Sequence, residues 1–132
     1  MQNNRAFRYV RRVVKSLFSL ERSHDVPTIM SYLITDECNS HCISCNVWKI
    51  KEGNKYIRTE ILRQKLASPF FREIQHVGIS GGEPSVCPEL LVHIGILLEE
   101  LPKLETLSIT SNCIHSDFWL ERGEEILACC QK

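Results

Sequence analysis

Two hydrophobic periods alternate along this chain. Ile29 to Thr35 is rich in β-branched and aromatic residues, Val77 and Ile79 oppose His76, Gly78 and Ser80, and Leu107 and Ile109 oppose Thr106, Ser108 and Thr110. This period of two predicts strands over Ile29–Thr35, Ile74–Ser80 and Glu105–Thr110. Between them the spacing lengthens. A helical stretch begins near Thr59, carries Ile61, Leu62 and Leu66, and is stopped by Pro69. The next has Pro88 at a first helical position, Glu89 in the first turn, and Leu91, Ile94, Leu98 and Leu101 along one stripe. A last helix opens at Ser116 or Asp117. Three strand-then-helix units predict an α/β fold built on a parallel sheet.

The alternation in the second and third strands adds a detail. A parallel sheet covered on both faces reads as nearly continuous Val, Ile and Leu. Here one face is apolar and the other small and polar, which predicts that the polar face lines a chamber. Upstream, Phe7, Val10, Val14 and Leu17 form one stripe of an amphipathic helix over residues 5 to 21, broadened by Val13 and Leu20. Residues 1 to 22 carry six basic side chains and only Glu21, a net +5, and the other 110 residues carry −5. The expected organisation is a basic amphipathic helix and linker over 1-25, then one domain over 26-132. The helix fits packing against the body better than peripheral contact with a membrane surface, because amphipathicity is the ordinary condition of a surface helix.

The 132 residues, 43% apolar and 24% charged, amount to about one domain. Sixteen basic and sixteen acidic residues cancel, so bulk charge does not draw the chain to nucleic acid. The longest mainly apolar stretch, Leu90 to Leu98, is far short of the ~20 residues of a membrane span. The basic start lacks the apolar core of a signal peptide, which predicts a cytoplasmic protein. Seven cysteines are an odd and unevenly placed set, with three between positions 38 and 45 and an adjacent pair at Cys129 and Cys130. That is unlike a secreted disulfide framework and fits metal ligation in a reducing compartment.

The segment Cys38-Asn39-Ser40-His41-Cys42-Ile43-Ser44-Cys45 is a C-x3-C-x2-C array directly after the first strand. Structural zinc usually takes four protein ligands in paired groups, and no second pair follows. A [4Fe–4S] cube is normally held by four thiolates, so three leave one iron open to an outside ligand. Zinc completed by His41 or a distant cysteine is the alternative. The array, Gly81-Gly82-Glu83-Pro84 after the second strand and Ser111-Asn112 after the third together resemble the radical S-adenosylmethionine (radical SAM) superfamily. The resemblance covers residues 28 to about 116, and Trp48-Lys49 behind the loop is similar to a branch that often carries an auxiliary-cluster extension.

The resemblance implies a partial (β/α) barrel in which Cys38, Cys42 and Cys45 ligate three irons and S-adenosylmethionine chelates the fourth. Gly81, Gly82, Glu83 and Pro84 would hold the methionyl amino group, and Ser111 and Asn112 its carboxylate or the ribose. A low-potential donor of ferredoxin or flavodoxin type would supply the electron that cleaves the sulfonium to a 5′-deoxyadenosyl radical. Two positions depart from the family: Ser44 stands where an aromatic residue is common, and Cys113 where a glycine is. The family core has six units and this chain has three, so the expectation is a truncated or split half whose complement comes from further sequence or a partner chain. A non-catalytic zinc or iron–sulfur module is the other reading. Little substrate turnover and poor solubility are expected of the chain alone, since an unfinished sheet exposes an edge.

Overall fold

The computed structural model describes residues 26–50 and 56–130; the basic helix expected over residues 5 to 21 lies outside the described residues. Three parallel strands, β1 (Ile29–Thr35), β2 (His76–Gly81) and β3 (Thr106–Ile109), pair in the order β1-β2-β3. Three helices follow them in turn: α1 (Thr59–Leu66), α2 (Leu90–Glu100) and α3 (Ser116–Cys130). The chain is therefore an α/β protein with a small three-stranded parallel sheet. Among the described residues no helix is long and apolar enough to cross a membrane.

Register decides which residues meet. Met30, Val77 and Leu107 are aligned across the sheet, and so are Tyr32, Ile79 and Ile109. Against this row α1 sets Leu62 and Leu66, and α2 sets Leu90, Ile94 and Leu97, all buried, with Ile34, Ile74 and Leu101 completing the core. Each such side chain contributes about 1.5–3 kcal/mol by leaving water. Right-handed crossovers that step in one direction along a sheet place successive helices on the same face. The other face is consequently open. Ile29 is 68% and Leu33 66% exposed, and Ser31, Thr106 and Ser108 are exposed as well. The small polar face does not line a chamber among the described residues, because three strands are too few to curl around one.

Two element boundaries differ from the sequence expectation. β2 starts at His76, since the Ile74 amide closes a turn on the Phe71 carbonyl and the Ile74 side chain goes to the core. α2 starts at Leu90 and not at Pro88: Pro88 and Glu89 form a turn in which the Leu90 amide donates to the Cys87 carbonyl at 3.3 Å, and Glu89, at φ −99°, ψ 14°, is the cap. α3 opens at Ser116 as expected, but none of its side chains is buried; Phe118, Trp119 and Ile126 lie half-buried on the core, while Leu120 and Leu127 stay exposed.

Between sheet and α2 lies a part-buried polar pair. His93 is fully buried, and its Nδ1 is 2.7 Å from the Tyr32 hydroxyl. Its Nε2 is 3.5 Å from a Glu89 carboxylate oxygen, too long to satisfy it. With a carboxylate facing Nε2 the ring hydrogen belongs there, so Nδ1 accepts and the tyrosine donates. Burial pushes the His93 pKa down, against the raising influence of Glu89, and pushes the Tyr32 hydroxyl up. His93 is thus a structural histidine, held in the core by Tyr32.

Candidate functional site

The three strands end at one rim, and the backbone of the second exit is spliced onto the first. The Gly82 amide donates to the Thr35 carbonyl at 2.7 Å and the Glu83 amide to the Glu37 carbonyl at 2.8 Å. The splice tolerates no side chain. Gly81 has φ +130°, and a Cβ there would stand 2.5 Å from the Thr35 carbonyl oxygen; a Cβ on Gly82 would overlap the Glu37 carbonyl. Glycine is required at both positions by backbone contact alone.

This splice delivers the Glu83 side chain, only 1% exposed, to the rim's centre. Oε1 accepts from the Ser85 amide at 3.1 Å and the Ser111 hydroxyl at 2.7 Å; Oε2 accepts from the Asn112 amide at 2.7 Å. Burial on its own raises a carboxyl pKa, but here the donors from Asn112, Ser111 and Ser85 outweigh it and hold Glu83 below its ordinary value. Glu83 is therefore an ionised carboxylate out of contact with water. Pro84 and Ser85 are buried beside it in a short 3-10 turn, Pro84–Val86.

The exit of β3 is shaped to reach this carboxylate. Ser111 Oγ also accepts from the Cys113 amide at 2.9 Å, and Asn112 Oδ1 from the Ile114 amide at 2.9 Å. Cys113 takes φ +56°, the left-handed conformation that favours glycine. The backbone here is glycine-like although the residue is a cysteine.

The thiol loop lies alongside, tied in by one side-chain bond: Asn112 Nδ2 donates to Asn39 Oδ1 at 2.8 Å. Cys38 is half-buried, Cys42 and Cys45 are exposed, and all three are free thiols. Local bonds shape the loop, with the Cys45 amide on the Cys42 carbonyl at 3.3 Å and Ser40 Oγ 3.2 Å from Cys42 Sγ. Trp48 borders it, its indole N–H on the same Cys42 carbonyl at 3.3 Å and its ring edge-to-face with His41 at 4.7 Å. Among the described residues no three His, Cys, Asp or Glu side chains are gathered to hold a metal ion. The donor chemistry fits a thiolate-ligated cluster, three unpaired thiols on one loop; gathering them requires the loop to close around the group. Cys87 is buried, and Cys113 and Cys130 are exposed, none of them joining the loop.

All nine residues singled out in the sequence lie on this rim, six of them in or beside the carboxylate cradle and three on the loop. Three participants carried no sequence signal at all. Asn39 and the Thr35 and Glu37 carbonyls enter through contacts between segments far apart in the chain. No protein-family model, no curated protein and no solved structure matches the chain.

Proposed function

We propose that this chain is the first half of a radical SAM core, three units of a partial (β/α) barrel that binds a [4Fe–4S] cluster and S-adenosylmethionine. Glu83 carries the reading. An ionised carboxylate costs free energy to bury unless it is fully partnered, and its two oxygens offer about four acceptor positions of which three are filled. The remaining position on Oε2 suits a further N–H donor, and the α-amino group of an amino acid is one. Beside it, Cys38, Cys42 and Cys45 would hold the cluster, with Gly81, Gly82 and Pro84 fixing the cradle and Ser111 and Asn112 orienting its carboxylate.

A reduced cluster of this kind supplies the electron for reductive cleavage of the sulfonium. The protein's own residues bind and orient: the cradle fixes the amino-acid end, and the loop carries the thiols. The open polar sheet face and the outer edge of β3, unpaired among the described residues, support a partner surface for the second half of the barrel. A low-potential ferredoxin or flavodoxin is the electron donor this chemistry needs, and seven free thiols suit the reducing cytoplasm.

Anaerobic reconstitution with iron and sulfide tests the proposal. The expected result is a brown protein whose reduced-cluster EPR spectrum changes on adding S-adenosylmethionine. Stoichiometric tightly held zinc with no spectral response to that nucleoside would replace the reading with a non-catalytic metal module.

A further inference from the structure

We propose that Cys129 and Cys130 hold one copper(I) ion in the groove between α2 and α3, at the end of the sheet opposite the rim. The groove has a volume of about 590 Å³ and is lined by Gly95, Leu98, Leu101 and Leu104 together with the two thiols. Leu101 to Leu104 connect the end of α2 to the start of β3, so the groove lies where the strands begin. The Cys38–Cys45 loop follows the end of β1, where the strands finish. The two sets of thiols therefore serve different ends of the molecule.

Three observations select the ligand. The two thiols are free and cannot consume each other within the helix. Consecutive Cα atoms stand about 3.8 Å apart, whereas a disulfide usually spans about 4.4–6.8 Å between them. An ion placed between the sulfurs lengthens the bridge and removes that constraint. The donor set comes next. Among the described residues no third His, Cys, Asp or Glu gathers with this pair, and Glu99 at the groove's border is committed to Arg63 at 2.6 Å. Zinc usually takes four ligands and hard cations take oxygen, while a pair of soft thiolates suits copper(I). The last observation is Gly95, inside α2, where a Cβ would meet no atom within 4 Å. Packing does not demand a glycine there, and alanine is the better helix former; the missing side chain leaves room in the groove. Binding exchanges protons for the ion: each thiol releases one as its sulfur takes the metal, two for each copper(I), whose oxidation state does not change.

The full chain carrying Cys42→Ser and Cys45→Ser, which removes two thiols of the loop, is titrated anaerobically with copper(I) against a chromophoric copper(I) chelator. One ion should be held tightly, with two sulfur neighbours in its X-ray absorption spectrum. Adding Cys130→Ser should weaken it by about a hundredfold or more, since one of two ligands is lost. Gly95→Leu keeps every thiol and fills the groove, and should weaken binding by about tenfold. Copper(I) affinity unchanged by Cys129→Ser and Cys130→Ser together overturns the site, as does zinc held in preference to copper(I). Affinity unchanged by Gly95→Leu overturns the groove as the place of binding. None of these outcomes bears on the cluster proposed at the rim, whose own test is separate.

Discussion

The carboxylate cradle and the thiol loop sit side by side at the same rim and are built in opposite ways. Around Glu83 three donors are in place, backbone carbonyls receive the glycine splice, and the central side chain is out of water. Around Cys42 and Cys45 the side chains face solvent, and the three thiols are not gathered. The difference teaches where the chain's own folding energy is spent. An anion buried in a protein must be largely satisfied before any ligand arrives, because desolvation cannot wait for binding; a loop that held a metal, as proposed here, would draw its order from that metal.

The contrast is broken most severely at the splice. Gly82→Ala forces a Cβ into the Glu37 carbonyl, and the β1 and β2 exits must separate. The expected loss is about 3 kcal/mol or more, in the range of backbone-strain and network-breaking substitutions, visible as a large drop in the denaturation midpoint. Glu83→Gln comes next. Its Oε1 still accepts from Ser111 and Ser85, but an NH2 group faces the Asn112 amide, donor against donor. About 1–3 kcal/mol should be lost in the same measurement, and an unchanged midpoint would show that the cradle is not preassembled.

Acid should act on the neighbouring core before it acts on the cradle. The folded pKa of His93 lies below its ordinary 6.5, so above that value His93 is neutral in both states. As pH falls through 6.5 the unfolded chain gains a proton that the buried ring refuses, and stability declines until the lower folded value is reached. Glu83, held below its ordinary 4.5, contributes stability that persists above that value and is lost only at lower pH. Denaturation series at stepped pH check the order, and His93→Phe, which removes the titrating ring, should flatten the upper step.

Smaller still is a gain. Cys113→Gly relieves a non-glycine residue at φ +56° and should add about 1 kcal/mol, since left-handed backbone costs roughly that for a side-chain-bearing residue. The least effect sharpens the comparison most. Cys42→Ser and Cys45→Ser touch exposed thiols and should change metal-free stability by no more than about 0.5 kcal/mol. Either substitution should nevertheless abolish the reconstituted cluster's brown absorption.

Much of this rim is legible in the sequence because its parts are contiguous. Cys38 to Cys45 and Gly81 to Pro84 each fall within one loop, and the alternation of Val77 and Ile79 with small residues places the second loop at a strand's end. Asn39 is not legible in that way: its partner is Asn112, 73 residues on, and only the parallel register brings the two exits together. The polar sheet face illustrates the reverse error. Its composition was read correctly and its surroundings were not, since what covers a face depends on how many strands there are to bend around it.

Local chemistry, then, is what the order of amino acids settled unaided: strand and helix periods, the demand for glycine at a tight exit, and a loop rich in thiols. The tertiary structure alone decided that a buried carboxylate would be the meeting point of two loops, with the thiol loop tied in by Asn39, and that one amide N–H would be left without a partner. Periodicity is a property of neighbours along the chain, whereas hydrogen-bond satisfaction is a property of neighbours in space, and the second exists only after the sheet has set its register.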